Sequence, residues 1–295
     1  MPAPDHVARL RALLTADSDG GRSLLSLPGC WDGLSALLIG QAGFPAAFLS
    51  GGALSMARLG RADVGLVSIT ELLDAVSAIR DRVGIPLLVD GDTGFGNALN
   101  VQRSVRMLER AGASAIQIED QTFPKRCGHL AGKSVVPLDQ AIGRISAALD
   151  ARDHVLIVAR TDALAVEGFA SALDRAEAFL AAGADLVFVE GPRDLAQLSE
   201  IGRRFGHRVP LAHNLVEGSH SPVNDGAALE ALGFAVALHP LVLLHGFARL
   251  APALLDGLKQ ARSTIPLADR LIDLAAINEI VCLAADLQEA ERHGG

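Results

Sequence analysis

Tyrosine is absent from the 295-residue chain, tryptophan occurs once, and aromatic residues make up only 4% of it. Half of the residues are hydrophobic, so a core of this size must be packed from Leu, Val, Ile and Ala. Cysteine is scarce as well. Cys30, Cys127 and Cys282 are widely scattered, and an odd, unclustered set argues against a disulfide framework and for a reducing compartment. Positive charge is in deficit: 26 Lys and Arg against 34 Asp and Glu leave a net charge of −8, which disfavours nucleic acid or an anionic membrane as the main partner. No apolar run is long enough to cross a bilayer. The start, MPAPDHVARLRALL, lacks the basic region, apolar core and cleavage site of a secretory signal, so a cytoplasmic location is expected. There is no Gly-x-Gly-x-x-Gly at the first strand–helix turn, which argues against a dinucleotide fold. There is also no Pro-, Gly- or Ser-rich linker to mark a second domain.

What is present is a rhythm. Short apolar runs alternate with longer stretches of helical periodicity, the pattern of repeated βα units. The predicted strands are Leu24–Leu27, Ala46–Leu49, Pro86–Val89, Ala115–Ile118, Val155–Ala159, Leu186–Val189, Val209–Ala212 and Ala235–Leu238. Helices are predicted near Val7–Leu14, Leu34–Ala42, Ile69–Val83, Leu99–Ala111, Pro137–Asp150, Phe169–Ala182, Asp194–Phe205, Asp225–Leu232 and Leu241–Lys259. Several end in a glycine tag, such as AGAS at 111–114 and AGAD at 182–185, because glycine tolerates the left-handed conformation that closes a helix. Eight such units predict an α/β fold of the (β/α)8 TIM-barrel type, one domain over 1–295, with Pro266–Glu291 as an extra C-terminal helical segment.

In such barrels the active site lies at the carboxyl ends of the strands. There the sequence puts Ser50-Gly51-Gly52, Asp90-Gly91-Asp92, Glu119-Asp120, Arg160-Thr161-Asp162, Glu190, His213-Asn214 and His239. Single acids at strand ends often mark only where a buried strand meets water. Acids on the third, fourth and sixth strands facing an Arg on the fifth are harder to explain that way. Asp90, Asp92 and Glu119 are hard oxygen donors of the kind Mg2+ (or Mn2+) accepts, whereas Cys and His show no paired spacing for zinc. Arg160 can fork onto a carboxylate, and the Gly51 and Gly52 amides can approach an anion closely. After the fourth strand the stretch QIEDQTFPKRCGH carries Cys127 between Lys125, Arg126 and His129, cations that favour the thiolate. The alternative for this stretch is a solvated basic turn. Cys30 and Cys282 read as structural, His207 and His220 as surface groups, and His213 and His239 as supporting or structural residues.

Seven motifs in order, LSGG (49–52), LVDGDTGFG (88–96), IEDQ (118–121), KRCGH (125–129), ARTDA (159–163), FVEG (188–191) and NLVEG (214–218), resemble the isocitrate lyase/phosphoenolpyruvate mutase superfamily over nearly the whole chain. KRCGH resembles its carbon–carbon lyase branch, the lyases of 2-methylisocitrate and 2-alkylmalates. DGDTG, NLVEG and the run Val135-Val136-Pro137 resemble the 2-alkylmalate lyases, the petal death protein type among them. The resemblance implies that Ser50, Gly51 and Gly52 bind the 2-oxo-acid part, and that Asp90, Asp92 and Glu119 hold Mg2+, partly through water, with Asp63 in support. It also implies that Cys127 is a catalytic acid on a mobile loop, that Arg160 grips a carboxylate, and that Phe48, Glu190, Asn214 and Ser221 belong to the substrate pocket. A homotetramer built by exchange of C-terminal helices is implied too. The chain departs from the family in three places. Phe48 stands where Tyr is common, Gly60-Arg61-Ala62 where a Pro is usual, and Gly218-Ser219-His220-Ser221-Pro222 where Gly-Lys-Thr-Pro is common.

The chemistry expected is cleavage of the C2–C3 bond of a 2-hydroxy di- or tricarboxylate to a 2-oxo acid and a carboxylic acid. In it Cys127 protonates the departing enolate, and Lys125, Arg126 and His129 tune the thiol. Two alternatives stand beside it: an oxaloacetate acetylhydrolase releasing oxalate and acetate, and a non-catalytic barrel that binds organic acids.

Overall fold

The computed structural model describes residues 2–18, 20–128, 130–219 and 221–294. Eight parallel strands run in the order β6-β5-β4-β3-β2-β1-β8-β7: β1 Leu25–Cys30, β2 Ala47–Leu49, β3 Leu87–Asp90, β4 Ala115–Glu119, β5 Leu156–Thr161, β6 Leu186–Val189, β7 Ala212–Asn214 and β8 Val236–His239. A bridge between Val187 and Leu211 joins β6 to the approach of β7 and closes the ring. This is the predicted (β/α)8 barrel. The seventh strand lies later than Val209–Ala212 because Pro210 has no N–H to give to the ladder. The first strand runs on through Pro28, which pairs with His239.

Alternation along the strands decides what is inside. Leu25, Leu27, Phe48, Leu88, Ala115, Leu156, Val158, Leu186, Phe188, Ala212, Val236 and Leu238 form the interior cluster. Val187 and Val189 of β6 point the other way, into a layer with Leu198, Ile201 and Phe205. Helix α1 (Asp5–Leu13) adds Val7 and Leu10 to the interior cluster, with Leu14 just beyond it. Fully burying such a side chain stabilises the fold by about 1.5–3 kcal/mol.

The outer helices are α2 (Gly33–Gln41), α4 (Ile69–Arg82), α5 (Ala98–Ala111), α6 (Leu138–Ala151), α8 (Phe169–Ala182), α9 (Leu195–Phe205) and α10 (Gly226–Ala231), while two short ones, α3 (Gly51–Leu54) and α7 (Ala163–Glu167), follow β2 and β5. In α4 the Ser68 hydroxyl accepts from the Glu71 amide and the Glu71 carboxylate accepts from the Ser68 amide, a reciprocal cap worth about 1 kcal/mol. Its Leu72, Val76 and Ile79 are buried at helical spacing. The expected glycine tags close α5 and α8, where Gly112 and Gly183 have φ of 108° and 101°.

The chain divides into two compact units, Met1–Val242 and Leu243–Gly295. The second holds α11 (Val242–Ala261) beyond its first residue, a 3-10 turn at Ile265–Arg270, α12 (Leu274–Ile280) and α13 (Leu283–Arg292). The expected C-terminal helical segment is present, in several pieces, with Cys282 at φ 61° between α12 and α13. No helix among the described residues is long and apolar enough to cross a membrane.

Candidate active site

The interior phase of the barrel also sets the site. Two residues beyond inward-pointing Phe48, Leu88, Val158, Phe188 and Ala212 lie Ser50, Asp90, Arg160, Glu190 and Asn214. On β4 the same step from Ala115 leads to Gln117 and then Glu119. The strands thus deliver polar groups to one inner face at their carboxyl ends. Asp90, Glu119, Arg160 and Glu190 are all buried.

Arg160 is the hub. Its Nε and Nη2 donate to the two carboxylate oxygens of Asp162 at 2.9 and 3.1 Å. Nη2 lies 3.3 Å from Glu190 Oε2, Nε lies 3.4 Å from Glu119 Oε2, and the guanidinium sits 5.1 Å from the centre of the Phe188 ring. Burial alone would lower its pKa, but Asp162, Glu190 and Glu119 raise it further and keep the group charged. Asn214 Nδ2 donates to Glu190 Oε2 at 2.9 Å. Gln117 Nε2 donates to Asp90 Oδ1 at 3.1 Å.

The Cys127 loop leaves β4 and returns on itself. Gln121 bridges Val135, and the Thr122 amide donates to Ser134 O at 2.9 Å. Gln121 Nε2 donates to Arg126 O at 2.8 Å while its Oε1 accepts from the Arg126 amide at 3.1 Å. At the tip the Cys127 amide donates to Asp63 O at 3.0 Å. A Cβ on Gly128 would stand 2.5 Å from Arg160 Nη2 and 2.8 Å from Glu190 Cδ, so only glycine lets the loop lie this close. Phe48, Ser50, Gly52, Asp63, Asp90, Lys125, half-buried Cys127, Arg160 and Asn214 consequently line one cavity of about 60 Å3.

Other predicted residues fall differently. Lys125 Nζ is 2.7 Å from Asp63 Oδ1 and 2.8 Å from Asp92 Oδ1, so this ammonium belongs to the acid cluster. Arg126 is exposed, and its guanidinium donates to Ala131 O at 3.1 Å, within the loop itself. Ser221 lies beside a neighbouring pocket that Glu190, His213 and Asn214 share; its hydroxyl donates to Val223 O at 2.6 Å and pairs with His213 Nε2 at 3.0 Å. His213 also packs edge-on to Phe234, a structural setting. His129 and His220 lie outside the described residues. Asp120, out of phase with Glu119, is tied to Thr161, the Asp162 amide and Arg175. Gln117 and Lys133 were passed over in the sequence, and Asp162 was placed at the end of the fifth strand without a role. The polar Gln117 in an apolar strand, in phase with Glu119, was a usable signal.

The carboxylates of Asp63, Asp90, Asp92, Glu119, Asp162 and Glu190 outnumber the cations of Lys125, Lys133 and Arg160 in this region. Burial accordingly pushes Asp92 up to about 7, against Lys125 and with help from Asp90 and Asp63. Burial also raises Glu119 well above the usual carboxylate range, against Arg160 and with help from Asp162. Glu119 Oε1 is buried without a hydrogen-bond partner among the described residues. An uncompensated set of hard oxygen donors fits Mg2+. Among the described residues no three Asp, Glu, His or Cys side chains are grouped so that they could hold a metal ion between them.

Comparison with known proteins adds independent findings. The family model for phosphoenolpyruvate phosphomutase matches residues 13–246. The chain is 36% identical over 280 residues to 2,3-dimethylmalate lyase of Eubacterium barkeri, covering 94% of each protein. It is 39% identical over 250 residues to 2-methylisocitrate lyase of Aeropyrum pernix, covering 85% of this chain and 80% of that one. Among solved structures, oxaloacetate acetylhydrolase in complex with 3,3-difluorooxalacetate superposes with a TM-score of 0.91 at 31% identity, over 98% of this chain and 97% of the other. Phosphonopyruvate hydrolase in complex with oxalate and Mg2+ superposes with a TM-score of 0.84 at 29% identity, over 98% of both.

Proposed function

The chain belongs to the phosphoenolpyruvate mutase/isocitrate lyase superfamily, and on that premise we propose that it is a Mg2+-dependent carbon–carbon lyase acting on a 2-hydroxy diacid or triacid of the 2-alkylmalate or 2-methylisocitrate type. One observation carries the reading: a loop thiol, Cys127, lines the same small cavity as Asp90, Ser50, Gly52 and Arg160. A retro-aldol cleavage uses both sides of such a cavity, one for the oxygens of the 2-oxo acid that forms and one for the carbon fragment that leaves.

Asp90, Asp92 and Glu119 would hold Mg2+, partly through water, with Asp63 in support; the bound ion supplies positive charge for the developing C2 oxyanion. Ser50, Gly51 and Gly52 bind the 2-oxo-acid end. With Nε and Nη2 of Arg160 engaged by Asp162, its Nη1 is the edge left for a substrate carboxylate. The C2 hydroxyl gives up its proton to water, and its oxygen pair closes the C2 carbonyl. Breaking C2–C3 leaves that bond's pair on C3 as an enolate. The Cys127 thiol delivers a proton to that carbon and regains one from water after release. The loop pressed onto Arg160 and Glu190 keeps water from the enolate. Lys125 fixes the acid cluster, and Phe48, Glu190 and Asn214 shape the pocket.

Similarity to oxaloacetate acetylhydrolase favours one second reading, hydrolysis of oxaloacetate to oxalate and acetate at the same site. Assays of 2,3-dimethylmalate, 2-methylisocitrate and oxaloacetate with Mg2+ separate the two. Release of a 2-oxo acid from either of the first two supports the lyase, and release of oxalate from oxaloacetate alone supports the hydrolase. Inactivity on all three would leave an organic-acid-binding barrel. The proposal includes a reducing, cytoplasmic setting. It also includes a homotetramer formed by exchange of C-terminal helices, supported by Phe247, Leu250, Leu255 and Leu274 of the second unit, each more than 60% exposed.

A further inference from the structure

Most bonds of the Cys127 loop are internal and would travel with it: the Gln121–Val135 bridge, the Gln121 side chain on Arg126, and the Arg126 guanidinium on Ala131 O. Lys133, like Lys125 and the Cys127 amide, also reaches outside the loop. Its Nζ donates to Gly128 O at 2.5 Å, beside the reactive thiol, and to Asp162 Oδ1 at 2.9 Å, at the end of β5. The side chain is 3% exposed and Asp162 is fully buried, so this ion pair is little screened by solvent. Asp162 Oδ1 also accepts from Arg160 Nη2. A continuous chain therefore runs from the Gly128 carbonyl through Lys133 and Asp162 to the Arg160 guanidinium.

We propose that Lys133 is a positioning residue that couples closure of the Cys127 loop to the setting of Arg160. With the loop down, Lys133 shares Asp162 with Arg160, and the thiol and the guanidinium are held against one frame. With the loop lifted, Lys133 leaves, and Asp162 has Arg160 as its remaining ion-pair partner and draws it closer. Because such coupling is reciprocal, an anion that engages Arg160 favours the closed loop, and the closed loop favours anion binding. This rests on reading Cys127 and Arg160 as two ends of one reaction site.

The test uses the full chain, with K133Q and K133R beside wild type and oxalate plus Mg2+ as the probe. Alkylation of Cys127 by iodoacetamide is followed by peptide mass spectrometry, with exposed Cys282 as an internal reference rate. In the wild type, oxalate and Mg2+ should slow Cys127 alkylation about tenfold or more, and K133Q should lose most of that protection. On a substrate that the wild type cleaves, K133Q should lose roughly 10- to 100-fold in kcat, with a much smaller change in KM, as misplaced groups do. K133R should restore part of both, and the melting temperature should stay near that of the wild type. Wild-type protection and kcat in K133Q would overturn the proposal. So would a loss that follows a fall in melting temperature and that K133R does not relieve, or an absence of protection in the wild-type protein. If the wild type cleaves none of the candidate acids, the reaction assigned above fails, while the alkylation comparison still decides the coupling.

Discussion

Lys125 Nζ lies 2.8 Å from Asp92 Oδ1, so the loop that carries the thiol also carries a counter-ion for the acid cluster. The ammonium is 4% exposed and reaches Asp63 as well. Burial would lower its pKa, but Asp92, Asp90, Glu119 and Asp63 together raise it well above its ordinary value. The acid cluster proposed to hold Mg2+ and the loop that carries the thiol are therefore tied by one side chain.

From this tie follows the behaviour of Lys125→Met. The variant leaves buried carboxylates without their cation, and breaking a buried pair costs about 3–5 kcal/mol before relaxation. Protonation of Asp92, already raised to about 7, offsets part of that near neutral pH. Urea unfolding without metal should show a loss of roughly 2–3 kcal/mol, and added Mg2+ should recover some of it. Unchanged stability would mean that the ion pairs with Asp63 and Asp92 do not form.

Cys127→Ser and Cys127→Ala should lose cleavage by roughly 100-fold or more, the usual worth of a placed proton donor. The thiol lines the cavity together with Ser50, Asp90 and Arg160, and in the proposed reaction these three, not the thiol, supply the polar groups for the oxo-acid end. Oxalate binding in the presence of Mg2+, followed by calorimetry, should therefore stay within about threefold of wild type. Wild-type turnover of every 2-substituted malate by either variant would remove Cys127 from the reaction.

Much of this was open to inspection in one dimension. Alternation from the apolar strand cores aims Asp90, Glu119, Arg160 and Glu190 inward, and nothing in three dimensions contradicts that phase. What hid were groups whose roles depend on a distant partner. Lys133 reads as an ordinary loop lysine until Asp162, 29 positions later, is found beside it. Lys125 and Arg126 look equivalent in KRCGH, yet one is buried among acids and the other turns back on its own loop. A helix directly after β2 was also hidden, because Gly-Gly is a poor helix former; Ser50, accepting from the Ala53 amide at 3.1 Å, caps the short helix Gly51–Leu54 there.

Asp162 sets an acid-pH signature. Burial would raise its pKa, but Arg160 and Lys133 bring it down to about 2. A carboxyl whose pKa is lowered in the folded state binds fewer protons there than when unfolded. Its contribution is thus present above the unfolded value near 3.9 and is lost as pH falls toward 2. The difference corresponds to about 2–3 kcal/mol, of which about half is gone at pH 3. Urea unfolding should show the gap between wild type and Asp162→Asn narrowing from pH 5 to pH 3. A constant gap over that range would mean that Asp162 titrates like an ordinary carboxyl.

Glu119 offers the sharpest test of the metal, because its stability effect and its binding effect should separate. Burial holds this carboxyl well above its usual range, against Arg160, so without metal the site disfavours its ionised form. Glutamine is then close to an isosteric replacement, and Glu119→Gln should unfold in metal-free urea within about 1 kcal/mol of wild type. Mg2+ changes the comparison, since it favours the ionised oxygens, and Glu119 Oε1 is buried with no partner among the described residues. The variant should bind Mg2+ about 10- to 100-fold more weakly. At saturating Mg2+ a tenfold loss removes about 1.4 kcal/mol of ligand-linked stability, which appears as a smaller rise in melting temperature. Chelation should abolish cleavage by the wild type, and added Mg2+ should restore it. If Glu119→Gln were strongly destabilised without metal yet gained as much from Mg2+ as the wild type, Glu119 would be a structural acid, and the ion would have to be held by Asp90 and Asp92 without it.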